Sequence, residues 1–398
     1  YWTGDSSPPF DSENNVGLLY SAHSELKLKY PLMLTDLSGN YNVNYELAFA
    51  GGINIGNIIV KVKYGNDMNN VVIYEKNIYE HPNSSNVIYN ESINNIYNSL
   101  IEINSNNNLQ SGTYTINQIN YNSNYVRKYY VNVPKNIVTN KGVIILLHGN
   151  GGHADRLLND NQTNTYLNSI SNEFIVVSPE GYENTWNVVA ETSRLDDVKY
   201  IETIISNLNT FNNVNSYYIL YGYSNGSAFS NRLLIESNSI YIKKAILIVS
   251  QLNTNQYNSS EDKFYIGTNN SVAPDTYNIE KTNLTSRSIF IFTGKTDTLI
   301  PATGGTSTIV NGSGGFIEFY SYNDSIYYYA KKYGYSGSIL SINNDSFYSY
   351  VDYSGIINSS NLQLVSYIYD NMSHGISYNN PSETQDIYSK LLSFINNI

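Results

Sequence analysis

Residues 217–236, YYILYGYSNGSAFSNRLLIE, constrain the fold of this chain more than any other stretch. Tyr218, Ile219, Leu220 and Tyr221 form an apolar run long enough for one buried strand. Phe229, Leu233 and Leu234 then fall at helical spacing, leaving Arg232 and Glu236 for a solvent face. Between them stands Gly222-Tyr223-Ser224-Asn225-Gly226, a G-x-S-x-G pentapeptide. Strand, sharp turn and helix is the context in which such a pentapeptide lifts a serine hydroxyl clear of a sheet edge. A Cβ at either flanking glycine would collide with the adjacent strand or helix, and glycine tolerates the strained dihedrals. The turn also aims the amide of Asn225 at the space where an oxyanion would form. Gly, Ser and Asn are common throughout the chain, so the pentapeptide takes its weight from its surroundings.

The chain has 398 residues, which predicts two domains and ample length for a sizeable core. Its formal net charge is -11 with no basic run, which argues against nucleic acid or an anionic membrane as partner. Only 14% of residues are charged, and Asn, Ser and 40 Tyr carry the polar surface instead. That excess fits codon drift in an AT-rich genome, as in a microbe, protist or large virus. With no cysteine, disulfides and thiolate metal sites are excluded, and the redox compartment cannot be read. N-x-S/T sequons, as at Asn83, Asn258 and Asn283, are too frequent in so Asn-rich a chain to locate anything. No apolar run approaches the about 18 residues of a membrane span. The chain opens at Tyr1 without a methionine, as expected of a processed or trimmed product.

Residues 1–10, with Gly, Ser and Pro, read as an N-terminal arm. Period-two alternation follows: Tyr41, Val43, Tyr45, Leu47 and Phe49 share one side, and Val60, Val62 and Tyr64 alternate with Lys61 and Lys63. The turn-rich connection to Val71-Val72-Ile73-Tyr74 predicts a hairpin. We expect residues 11–108 to form a small all-β sandwich used for binding or assembly. Neither His23 nor His81 has a convincing partner in the sequence. Tyrosines offer this domain a way to stack on sugar rings, but core packing and composition account for them as well.

The pattern changes from residue 109. Alternation over residues 125–133 predicts early antiparallel strands. Gly142 to Leu147 is a continuous apolar run, as for a strand buried on both faces, and leads into His148-Gly149-Asn150-Gly151-Gly152-His153. A glycine-rich loop after a buried strand lets amides face a ligand; a phosphate loop would need a terminal Gly-Lys-Ser/Thr, which is missing. Further strands are expected at residues 174–177, 245–249, 288–292 and 364–369. Asp196 and Asp197 precede the helical face Ile201, Ile204, Ile205 and Leu208, where they suit capping. Residues 304–315 read as flexible, 322–333 as a helix, and Ser382-Glu383-Thr384-Gln385 as the capping box of a closing helix.

Strands alternating with helices imply a mostly parallel sheet covered on both faces, an α/β-hydrolase fold over residues 109–398. Ser224, Asp297 and His374 all fall just past strand ends, where ligands bind in such sheets. Their order, Ser…Asp…His, is that of the α/β hydrolases.

Six ordered blocks carry a family resemblance: His148 to Gly152, Ser178-Pro179-Glu180-Gly181, Trp186-Asn187, Asp196-Asp197-Val198, Gly222 to Gly226, and Thr293-Gly294-Lys295-Thr296-Asp297 with Ile300-Pro301. Together with His374, they resemble the poly(3-hydroxybutyrate) depolymerase, feruloyl and acetyl xylan esterase group of α/β hydrolases. The resemblance runs from about residue 109 to the end and leaves out the first hundred residues. It implies a secreted serine esterase acting on acyl groups of polysaccharides or polyesters, without metal or cofactor. The family's usual cysteines are absent here, Ser227 replaces a common glycine, and residues 304–350 are idiosyncratic, which bears on specificity more than on chemistry.

The expected roles are nucleophile for Ser224, base for His374 and its orienting acid for Asp297. Oxyanion donors are the amides of Asn225 and of Asn150 or its neighbour Gly151. His148, Gly151 and Trp186 are candidate substrate contacts, with loop ordering the other role weighed for His148. The expected partner is an ester substrate, polysaccharide-linked by the resemblance, and the N-terminal domain is a candidate for homo-oligomer or larger assembly. The competing reading is a catalytically silent hydrolase-like module serving as a structural or glycan-binding part of a secreted assembly or virus particle.

Overall fold

Val143, Ile145 and Leu147 point to one face of a sheet and Ile144 and Leu146 to the other, and all five are fully buried. Burial of each such side chain contributes about 1.5–3 kcal/mol, so a strand of this composition is driven to the centre of the sheet. The computed structural model describes residues 107–134, 140–154, 173–310, 316–357, 362–375 and 380–397. It also describes the strands at 10–11, 16–17, 41–47, 58–64, 71–78 and 87–93. The chain divides into two compact units, Tyr1–Asn107 and Asn108–Ile398.

In the first unit, Tyr41–Leu47 pairs antiparallel with Val87–Ile93, and Ile58–Tyr64 pairs antiparallel with Val71–Ile78. The second pair is the hairpin that the alternation predicts. The rest of the expected sandwich, with His23 and His81, lies outside the described residues.

The second unit is built on ten strands: β1 (Gly112–Asn120), β2 (Ser123–Asn132), β3 (Gly142–Leu147), β4 (Phe174–Pro179), β5 (Tyr218–Tyr223), β6 (Ile242–Ile248), β7 (Ser288–Gly294), β8 (Asn343–Asn344), β9 (Tyr348–Asp352) and β10 (Leu364–Tyr369). Their order across the sheet is β8-β9-β10-β7-β6-β5-β3-β4-β2-β1. From β4 through β10 neighbouring strands run parallel. The hairpin β1–β2 is antiparallel and joins β4 antiparallel; β8 and β9 extend the opposite edge in the same sense. Helices α1 (Asp197–Leu208), α2 (Asn225–Glu236), α3 (Tyr322–Lys332) and α4 (Pro381–Asn396) cover the sheet. Residues of α1, α2 and α3 join the core on one face, and Ile387, Leu391, Phe394 and Ile395 of α4 fill the other. This is an α/β-hydrolase fold, as the alternation of elements predicts.

Four local expectations are corrected. The closing helix is capped by Asn380, whose side chain accepts from Glu383 N, with Pro381 at its first turn. An Asn-Pro start therefore displaces the capping box at Ser382, and Glu383 instead accepts from Asn371 Nδ2 at 2.9 Å. Residues 305–310 form a strand paired with Phe316–Phe319, so the glycine-rich stretch is ordered there. Asp196 caps α1 by accepting from Lys199 N, whereas Asp197 turns inward to Arg127. Arg232 and Glu236 do not face solvent. A small sheet of Tyr257–Asn258, Lys263–Gly267 and Tyr277–Glu280 joins that side of α2. Arg232 donates to Gly267 O at 2.9 Å and Asp275 Oδ2 at 3.0 Å, while Glu236 accepts from Gly267 N.

Candidate active site

The elbow follows from two close approaches. A Cβ on Gly222 would lie 2.5 Å from Gly226 O and Ser230 Oγ. One on Gly226 would press into Leu147 O and lie 2.6 Å from His148 O. Only glycine lets α2 start this close to β5 and β3. The bend is concentrated at Ser224, which has φ 51° and ψ −117° at the N-cap of α2. A non-glycine residue held there costs about 1–3 kcal/mol, sustained by the packing on both sides.

Ser224 Oγ lies 2.8 Å from His374 Nε2. His374 Nδ1 lies 2.8 Å from Asp297 Oδ2. A carboxylate only accepts, so Nδ1 carries the proton and Nε2 is left to accept from the serine hydroxyl. Asp297 has no exposed side-chain surface, and its other oxygen accepts from Leu299 N at 2.8 Å and Ile300 N at 3.0 Å. The turn after β7 thus fixes the acid, and the loop after β10 brings the histidine to it. Strand ends unite three residues that lie far apart in sequence.

The loop after β3 is held from behind. His148 is buried; its Nε2 accepts from Gly181 N at 2.9 Å, and Nδ1 donates to Gly149 O at 2.8 Å. Burial pushes its pKa down, which matches a neutral ring in this tautomer. Trp186 has no exposed surface: its indole donates to His148 O at 2.9 Å, and its ring stacks on Phe229 with centroids 5.1 Å apart. His148 and Trp186 are therefore enclosed, and their hydrogen bonds order the loop after β3 from behind. Spacing put them near the site but carried no sign of which way they point.

Gly151 is exposed, but its amide donates to Asn184 O at 2.8 Å. Of the two candidates on this loop, Asn150 is thus the one whose amide no described residue accepts. The amide of Asn225, the first in α2, has no acceptor among the described residues either. The Asn225 side chain is anchored on the loop around Trp186. Its Oδ1 accepts from Trp186 N at 2.7 Å and Thr185 Oγ1 at 3.2 Å; its Nδ2 donates to Trp186 O and, at 3.4 Å, to Glu191 Oε1. Glu191 Oε2 in turn accepts from the amides of Val188, Val189 and Ala190. Sequence reasoning missed Glu191 because nothing in its spacing marks it. Among the described residues no group of His, Asp and Glu is placed to hold a metal ion, and no helix is long and apolar enough to cross a membrane.

Among solved structures, the chain is similar to an acetyl xylan esterase from Aspergillus awamori. That match has 14% identity and a TM-score of 0.45, and it covers 70% of this chain and 99% of that one. It is also similar to a protein designated pOPH at 11% identity and a TM-score of 0.38, over 58% of this chain and 78% of the other. LpqC, a poly(3-hydroxybutyrate) depolymerase from Bordetella parapertussis, is similar at 14% identity and a TM-score of 0.33, over 50% and 70%. No protein-family model and no curated protein sequence matches this chain.

Proposed function

We propose that this chain is a serine carboxylic-ester hydrolase with Ser224, His374 and Asp297 as its triad. The observation that carries the reading is the pair of 2.8 Å contacts running from Ser224 Oγ through the His374 ring to Asp297 Oδ2. A hydroxyl facing the acceptor nitrogen of a ring whose other nitrogen is held by a buried carboxylate is equipped for nucleophilic attack.

Ser224 Oγ attacks the ester carbonyl while its proton passes to His374 Nε2. Asp297 holds the ring and stabilises the imidazolium. The carbonyl oxygen, now an anion, is received by the amides of Asn225 and Asn150. Collapse expels the alcohol, which takes the proton from Nε2 and leaves an acyl-serine. Water then attacks the acyl-serine with the same histidine as base, and the acid departs. No step needs a metal or cofactor. The sequence resemblance favours acyl esters of polysaccharides or polyesters as substrates and a secreted setting, while the drifted composition keeps a virion-associated one as the alternative.

The test is p-nitrophenyl acetate hydrolysis by the wild type and Ser224→Ala side by side. A triad acting as a unit predicts a loss on the order of 10⁶ in turnover. A well-folded wild type without turnover would instead favour the silent binding or structural module.

A further inference from the structure

The loop that carries His374 is held from two sides. Thr296, next to the acid, donates to Met372 O through Oγ1 at 2.8 Å and through its amide at 3.2 Å. On the other side, Tyr223 Oη donates to the carbonyl of His374 itself at 2.6 Å. Tyr223 ends β5 and immediately precedes Ser224. Its ring is boxed in. A Cβ on Gly149 would lie 3.1 Å from Tyr223 Cδ1, and one on Gly375 would lie 3.0 Å from Tyr223 Oη. The Tyr223 and His374 rings are 6.2 Å apart at 57°. One side chain therefore spans from the glycine loop after β3, across the elbow, to the backbone of the histidine.

We infer that Tyr223 is a positioning residue. Its hydroxyl ties the His374 backbone to the strand that presents Ser224, so that nucleophile and base keep one separation. The inference rests on the triad reading above. Tyr223 acts through the His374 carbonyl. A peptide carbonyl released from this tether leaves the ring free to drift. A misplacement of a catalytic group by about 1 Å can cost about 100-fold in rate.

The test is Tyr223→Phe, which keeps the ring and removes the hydroxyl. On p-nitrophenyl acetate we expect kcat to fall about 10- to 100-fold with KM changed by less than about twofold, because alignment and not binding is lost. In proton NMR, the low-field resonance of the His374 Nδ1–H against Asp297 should broaden or move. The thermal midpoint should shift by only a few degrees. Unchanged kcat with an unchanged low-field resonance would overturn the inference. A folded wild type that neither turns over nor reacts with a fluorophosphonate would defeat the esterase reading instead. The proton resonance still reports the tether in that case, and its persistence in Tyr223→Phe would remove it.

Discussion

Arg127 Nη1 lies 2.6 Å from Asp197 Oδ1, and each side chain is 1% exposed. The other oxygen of Asp197 accepts from Asn187 N at 2.7 Å, and the guanidinium also reaches Glu180 O at 3.0 Å. A hairpin strand, the start of α1 and the loop behind the candidate site thus meet at one ion pair. Removing one partner leaves the other charged and enclosed, so Asp197→Asn or Arg127→Met should cost about 3–5 kcal/mol in urea unfolding. Replacing both with apolar residues of similar volume should cost less than either single change. A double variant that costs the sum of the two single changes would show that the pair is not coupled.

Gly226→Ala should fail to give a stable elbow. The added methyl would enter the space of Leu147 O, a main-chain atom of a central strand that cannot yield cheaply. We expect a loss of about 3 kcal/mol or more, read as a drop in the thermal midpoint, or no soluble protein.

The two asparagines of the proposed oxyanion pair should respond differently to alanine. Asn150 is exposed, and the role proposed for it uses only its amide, which alanine keeps, so Asn150→Ala should hold kcat within about threefold. Asn225→Ala also keeps its amide but loses the anchor on Thr185 and Trp186, and should lower kcat about 10- to 100-fold. Equal effects on p-nitrophenyl acetate turnover would contradict this division of labour.

His148 should make stability depend on pH. Burial lowers its folded pKa below the ordinary 6.5, so the unfolded chain binds the extra proton first. The neutral ring's contribution is present above about pH 6.5 and is lost as pH falls below it, because protonated Nε2 would face Gly181 N–H. His148→Gln can still accept from that amide without titrating. Its denaturation midpoint should therefore fall less steeply than the wild type's between about pH 6.5 and 5.

The parts of this protein legible in its sequence are those that local pattern dictates. Continuous apolar runs gave β3, β4, β5, β6, β7 and β10, since a strand buried on both faces has no polar side to hide. Ser224, Asp297 and His374 stood out because ligands bind at strand ends in such sheets, and the fold brings all three into contact. Side-chain direction was not legible. Trp186 and His148 sit beside the oxyanion loop but point into the core, and the difference depends on Phe229 and Gly181. Arg232 lay on what looked like a solvent face of α2 because the sheet that buries it comes later in the chain. Arg127 and Asp197 are 70 residues apart, and neither has a neighbour that announces the other.

The strands β5, β6, β7 and β10 lie side by side, and the three contacting residues follow the first, third and fourth of them. In order of synthesis, Ser224 and Asp297 are made before β10 exists, and β10 is the last of the ten strands to be translated. A growing chain can fold its elbow and its acid turn yet lack the histidine that Ser224 contacts in the finished sheet. Hydrolysis would then begin only when the final strand docks against β7, so the onset of turnover times the completion of the sheet.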